Sequence, residues 1–487
     1  MHTQNQKKAA IKYNSINDMR RLTDSLIQRL HNYFMTHQTL PASERLMPNT
    51  LQTKSNIFVS PAWIPSIMLF IVCLLAFYPG FMSPDSINQF AESLSLHFTD
   101  WHPPLMAAVW SVLNTLIHGP FGMLFLQLGF YWGSLFILAD MAWRRGSHVW
   151  WLWLLFGLLP CTLNFIGVIW KDVGLAVAYL AAAANLLCAH TDKRKPNLSV
   201  LVLILYGIGM RWNGLPAALP LIYWWFMLRY PKWNYRICLI STVLAGVFSV
   251  VLLAQVSYKV LRAEVTSPWQ ILILHDLAAV GCGTGQNLIP TEFVNANMNT
   301  SDICAAYTPM WNDPLFAYFA NPRPPLHYNS AKAAMLPKIW LHTVLDNPRI
   351  YIEHRSAFFA KFLRIGESKA YFYLYNTVIQ NAFGISHQPN ALILAHAWYI
   401  NLFESSFILK PWFWCVLATV LLVISVRRKI LPVTMASVSG LVYVFPYWFI
   451  GPTADLRYSY WLILSTTFAA IVLIMHKNLP NIAVSKT

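Results

Sequence analysis

The sequence predicts an all-α polytopic membrane protein with about ten transmembrane helices and one large outer loop domain between spans 7 and 8. Three observations carry that prediction. The 487 residues are 56% hydrophobic and only 11% charged, whereas soluble domains carry roughly 25% charged residues. Several nearly uncharged runs are long enough to cross a hydrocarbon core of about 30 Å. The net charge of +16 gathers in short loops between those runs. That is the pattern of the positive-inside rule, not of a nucleic-acid partner.

The elements follow in order. Residues 1–56 are polar and basic, so a cytoplasmic tail without a cleavable signal peptide is expected. Within it, Ser15 and Asp18 have capping-box spacing, and Ile16, Met19, Leu22, Leu26, Leu30 and Tyr33 recur at helical spacing. An amphipathic helix lying on the membrane is expected there, with a partner-binding helix as the alternative. Residues 57–257 form the first transmembrane module. Its first span, near 58–78, leaves the chain outside, and a first outer loop covers 79–120. Further spans are expected near 121–141, 149–169, 173–190, 197–210, 215–228 and 237–257. A 258–410 loop domain follows outside, and residues 411–487 supply spans near 411–426, 431–450 and 457–475. The basic loops Arg144-Arg145, Lys193-Arg194-Lys195, Arg229 to Arg236 and Arg427-Arg428-Lys429 then all face the cytoplasm, as do both termini. Residues 104–118 are apolar enough to enter the bilayer. A full crossing there would put Arg144-Arg145 outside, so this segment is expected to lie along or dip into the outer face. Residues 391–403 are apolar and are expected at the membrane surface.

Seven cysteines are present. Cys73, Cys161, Cys188, Cys238 and Cys415 fall in or beside spans and read as packing residues. Cys282 and Cys304 share the long loop, where a disulfide and two free thiols are both open. No CxxC or Cys/His metal spacing occurs.

This topology sends the unusual polar motifs to one side. Asp85 follows Pro84 just outside the first span. A carboxylate partly withdrawn from water should have a raised pKa and can act as a general base; the ordinary alternative is a helix cap by Ser83 or Asp85. Gln89 lies one helical turn further on. Trp101-His102-Pro103-Pro104 stiffens the chain before a helix, and His102 could bind phosphate or guide a proton, or be structural. Lys171-Asp172 sits between two spans, either as part of a site or as a salt-bridged turn. Arg211, followed by Trp212-Asn213-Gly214, suits phosphate through its two-pronged donor, with snorkelling as the alternative. Asp455 and Arg457 precede the last span, and Arg457 qualifies as a second phosphate contact. In the long loop, Gly281, Gly283 and Gly285 do not make a phosphate loop, because no Lys-Ser/Thr ending follows. One carboxylate, several cations and a cleft open to lipid suggest group transfer from a lipid phosphate carrier to an acceptor on the outer face.

Asp85 in the first outer loop, Trp101-His102-Pro103-Pro104 and Asp455-Leu456-Arg457-Tyr458 resemble bacterial membrane glycosyltransferases of the GT-C fold. Trp170-Lys171-Asp172 and Arg211-Trp212-Asn213-Gly214 also fit that group. The resemblance covers roughly 58–260 and 410–476 and is weak across 260–410. It implies a bacterial inner-membrane enzyme that moves a sugar from a polyprenyl-phosphate carrier to an envelope glycan or glycolipid. It carries the essential base onto Asp85. Many members show two adjacent acids in that loop, or one acid there with a second in another loop; here Ser86 follows Asp85, and Asp172 is the natural second catalytic acid. His102, Trp101, Lys171, Arg211, Asn213, Asp455 and Arg457 are the expected substrate-binding residues. No metal or other cofactor is predicted; the lipid-phosphate sugar is the donor substrate, and membrane lipids are the surroundings. Two alternatives stand beside this reading. One is a lipid-linked sugar flippase or solute transporter, against which the absence of an inverted repeat argues mildly. The other is a polysaccharide polymerase or ligase of another fold, in which loop arginines such as Arg323 or Arg355 would be indispensable and Asp85 would not.

Overall fold

Proline and small residues decide where the helices of this chain begin and how closely they pack. The computed structural model describes residue 28 and residues 60–293, 299–318 and 331–478. The amphipathic helix expected in the tail lies outside these, apart from residue 28. Most of the described residues are helical, and the rest form turns and irregular segments with a few isolated β-bridges.

The helices run in order as α1 (Trp63–Phe77), α2 (Pro84–Ser95), α3 (Pro104–Leu116), α4 (Phe121–Arg144), α5 (Leu152–Leu158), α6 (Pro160–Leu163), α7 (Lys171–Thr191), α8 (Ser199–Met210), α9 (Leu215–Arg229) and α10 (Tyr235–Gln255). The intervening segment holds α11 (Trp269–Thr284), α12 (Thr300–Ala306), α13 (Asp313–Tyr318), α14 (Ala331–Asp346), α15 (Pro348–Leu363) and α16 (Ala391–Asn401). The chain closes with α17 (Pro411–Arg428), α18 (Leu431–Val444), α19 (Tyr447–Ile450) and α20 (Tyr460–Asn478). Pro stands at the first or second position of α2, α3, α6, α9, α15, α17 and α18, where its missing N–H costs no helical bond.

Six stretches are long and apolar enough to cross a membrane: α4, α7, α10 with its following turn, α17, α18 with α19, and α20 with its preceding turn. The other expected spans are shorter. At 1.5 Å per residue, α1 and α9 reach only about 22 Å and α8 about 18 Å. The single span expected over 149–169 is not one helix. Pro160 cannot donate into a continuing ladder, so the run breaks into α5 and α6, and Asn164 to Trp170 follow as a buried irregular segment. Residues 104–116 do form a short helix, about 20 Å long, as α3.

α7 is the central element. It packs against α4, α8, α9 and α20, and its run Ala181–Ala184 keeps these neighbours close. Gly207 on α8 has no room for a side chain, because a Cβ there would collide with the Tyr179 ring on α7. By contrast, α10 shows Ile240, Val243, Leu244, Val247, Phe248 and Val251 to its surroundings. That apolar exposure suits contact with lipid.

The two ends of α7 differ. Lys171 and Asp172 begin it, and Asp192 follows it about 31 Å away. At the far end Arg145 pairs with Asp192 at 2.8 Å. His190, His476 and Arg428 also gather there, so the ends of α7, α17 and α20 come together. The segment between α10 and α17 carries its own small core, in which Ile273, Leu274, Leu277, Ile289, Phe293, Ile303, Leu315 and Leu336 meet. Cys282 and Cys304 form a disulfide beside it. Cys73, Cys161, Cys188 and Cys238 are buried free thiols, and Cys415 is half-buried.

Candidate functional site

The site is built where five chain segments meet. The first is the turn before α2. Gly80 there has φ +115°, and a Cβ would lie 2.5 Å from Ile169 Cδ1, so glycine is required on both counts. Phe81 N–H donates to Gly167 O at 2.9 Å, and Ile169 N–H donates to Phe81 O at 3.0 Å, which ties this turn to the segment before α7. Ser83, not Asp85, is the N-cap of α2. It forms a capping box with Ser86, and Ser83 N–H donates to Ser86 Oγ at 3.2 Å. Asp85 is therefore free of capping duty and turns into the cluster.

Around it the expected residues converge. Arg457 Nη1 lies 2.9 Å from Asp85 Oδ2, and His102 Nε2 lies 3.9 Å from Asp85 Oδ1. Lys171 Nζ donates to His102 Nδ1. An ammonium only donates, so His102 Nδ1 accepts and its proton sits on Nε2, facing Asp85. That Nε2 is buried without a hydrogen-bond partner. Arg457 Nε also reaches Asp455 Oδ2 at 3.1 Å and Asp172 Oδ2 at 3.9 Å. Asp172 Oδ1 holds Arg211 Nη1. Arg211 Nε donates to Asn213 Oδ1 at 2.8 Å, and Asn213 Nδ2 donates to the Tyr447 hydroxyl at 2.9 Å. Aromatic faces sheathe both guanidinium groups. Arg211 stands 4.3 Å from the centre of the Tyr458 ring, and Arg457 stands 4.6 Å from that of Trp170.

Electrostatics correct one expectation. Burial does push Asp85 upward, as the sequence suggested, but Arg457, Lys171 and His102 outweigh it and hold its carboxyl well below the usual carboxylate range. Burial drives His102 down to about 3, and Lys171 adds to the effect, so the imidazole is neutral. Burial raises Asp455 against the pull of Arg457.

Depth separates the acids. The Asp85 side chain is 29% exposed, while that of Asp172 is fully buried beneath the two arginines. Asp172, expected as a second catalytic acid, thus sits where it orients cations and has no open approach. Trp101 adjoins His102 in sequence and is half-buried, but among the described residues its side chain joins the cluster by no hydrogen bond or ring contact. Gln89 donates back to Asp85 O at 3.3 Å and is buried. In the long segment, Asp276, His354 and Arg355 form a separate buried knot. Asp276 accepts from His354 at 3.1 Å and from Trp340 at 2.8 Å, and pairs with Arg355 at 2.6 Å.

Sequence reasoning missed Tyr447, Tyr375 and Asp313. The Tyr375 hydroxyl donates to Met82 O at 3.1 Å and its ring lies 5.3 Å from Trp170, while Asp85 and Arg457 both act on Asp313. Only the density of aromatic residues near 371–375 and 443–448 hinted at the two tyrosines. Among the described residues, no three His, Cys, Asp or Glu side chains group so as to hold a metal ion. No family model, curated protein or solved structure matches this chain.

Proposed function

We propose that this protein is a membrane glycosyltransferase that moves a sugar from a polyprenyl-phosphate carrier to an acceptor on the outer face of a bacterial inner membrane. The observation that carries the reading is the meeting of Asp85 with Arg457, Lys171 and His102 from four distant segments. A lipid phosphate competes with Asp85 for Arg457 and Lys171. Once these cations turn to phosphate, Asp85 loses the charges that depress it, and burial makes it a stronger base. The acceptor oxygen then attacks the anomeric carbon while its proton passes to Asp85. The bond to phosphate breaks, and the departing polyprenyl phosphate keeps the electron pair. Arg457 and Lys171 stabilise that charge, with the His102 Nε2 proton as a further donor. Asp172, Asn213 and Asp455 hold the arginines, and Arg211 anchors the layer beneath. One displacement inverts the anomeric centre, and no metal takes part in this scheme.

The gathering of basic loops at the opposite end of α7 supports an outward-facing site with both termini in the cytoplasm. The Cys282–Cys304 disulfide supports the same side for the long loop. Ten crossings remain part of this proposal, with α1, α8 and α9 as short spans and residues 149–169 as a broken one.

Binding of a polyprenyl phosphate to the purified protein in micelles tests the reading. Arg457→Gln or Lys171→Gln should weaken it tenfold or more, and unchanged affinity in both would contradict it. A transporter is the second reading, favoured by the charge balance of the cluster: Asp85, Asp172 and Asp455 against Lys171, Arg211 and Arg457. Transport by the purified protein in liposomes, without glycosyl transfer, would decide for it. The polymerase-type alternative loses support because Arg355 is fully buried and donates to Gly451 O at 2.9 Å, a structural post. Arg323 lies outside the described residues.

A further inference from the structure

Part of the long segment between α10 and α17 packs beside the cluster. Its residues 310–313 lie against the stretch that leads to Asp455 and Arg457. Ala454 N–H donates to Met310 O at 2.7 Å, Trp311 bridges Thr453, and Thr453 Oγ1 donates to Asn312 Oδ1 at 3.2 Å. Asp313 follows at once and is exposed. Among the described residues no cation pairs with it at close range, and Asp85 and Arg457 are the charges that act on it. It follows directly on the residues that pair with the stretch leading to Asp455 and Arg457. The Trp311 ring lies 5.1 Å from that of Phe372, which is 39% exposed. Phe372 has φ +50°, a left-handed conformation that a bulky residue rarely adopts. Arg364 holds this stretch in place. It stacks on Tyr371 at 3.9 Å and donates to Tyr371 O at 2.8 Å and to Ala454 O at 2.9 Å. The aromatic pair and the Asp455–Arg457 stretch are thus pinned to each other.

Sugar rings carry one apolar C–H face and a rim of hydroxyl donors. The exposed Phe372 ring against the half-buried Trp311, with Asp313 two positions further along the chain, matches both parts. We propose that Trp311, Phe372 and Asp313 form a subsite for a carbohydrate acceptor. The nucleophile is then a sugar hydroxyl, not a protein side chain or a phospholipid headgroup. This inference rests on the glycosyl-transfer reading above. The subsite binds and orients; the proton still passes to Asp85, and the bonds form and break as already described.

The test uses cells lacking the gene, complemented with wild type, Asp313→Asn, Asp313→Glu or Phe372→Ala. Mass spectrometry of envelope glycans, lipids and proteins reads transfer, and binding of a polyprenyl phosphate to each purified protein reads the donor side. The expected result is a sugar carried on carbohydrate. Asp313→Asn and Phe372→Ala should reduce transfer tenfold or more while polyprenyl phosphate affinity stays within twofold, and Asp313→Glu should restore part of the transfer. Wild-type transfer by Asp313→Asn and Phe372→Ala overturns the inference. So does parallel loss of phosphate binding, or a sugar found on protein or phospholipid. If wild type itself neither binds polyprenyl phosphate nor transfers, the glycosyl-transfer reading falls and the subsite with it.

Discussion

Asp85 and its cations set the behaviour of the cluster at the scale of single residues. Because Arg457 is the strongest of the charges holding Asp85 down, Arg457→Gln should let burial dominate and move the carboxyl upward. Infrared difference spectra should then show a protonated Asp85 band at mildly acidic pH that wild type lacks and that Asp85→Asn abolishes. His102 gives a prediction of defined sign. It is neutral when folded, with its pKa near 3, and about 6.5 when unfolded. The unfolded chain therefore binds the extra proton, and stability falls as pH drops below about 6.5, by at most roughly 1.4 kcal/mol per unit for this group. Thermal unfolding in detergent should show that slope, and His102→Gln should flatten it. Asp85 is opposite in kind: its depressed pKa stabilises above about 3.9 and is lost only as pH falls through the folded value. The motifs that supplied Asp85, His102, Lys171, Arg211 and Arg457 were legible because charge beside an apolar run is conspicuous. The direction of the Asp85 shift was not, since it depends on which cations arrive from 17 to 372 positions away (102 − 85 and 457 − 85).

Elements were legible in proportion to their length and punctuation. α4, α7, α17 and α20 stand close to the expected spans, because long apolar runs bounded by basic residues leave little choice. The 149–169 run misled for a physical reason: hydropathy sees Pro160 as apolar, while the backbone sees a missing donor. Two elements outside the spans govern the site. The turn at Gly80 admits only glycine, so Gly80→Ala should cost about 1–3 kcal/mol of stability and displace the Asp85 turn. The 451–457 stretch is clamped by Arg364, which serves backbone carbonyls of Phe362, Ala454 and Tyr371 at once. Arg364→Met keeps the length of the side chain but leaves these acceptors unpaired. It should lower stability by about 3 kcal/mol or more, read as a fall in unfolding temperature. Pro79-Gly80 marks a turn in the sequence but not that the turn admits glycine alone, and Arg364 carries no signal that distinguishes it from the other arginines.

For the whole molecule, one arrangement accounts for the charge pattern: basic helix ends gather at one end of α7 and the aromatic-sheathed cluster occupies the other. Cys282 and Cys304 should resist a membrane-impermeant maleimide in intact cells until a reductant is added, and then react from the outside. On the proposed function, Asp85 is the base of an outward-facing sugar transfer. Its most direct test is mass spectrometry of envelope glycans and lipids from cells lacking the gene, complemented with wild type or with Asp85→Asn at matched membrane levels. Wild type should restore a sugar, and Asp85→Asn should not. Equal restoration by both would contradict it and leave Asp85 as one half of an ion pair with Arg457.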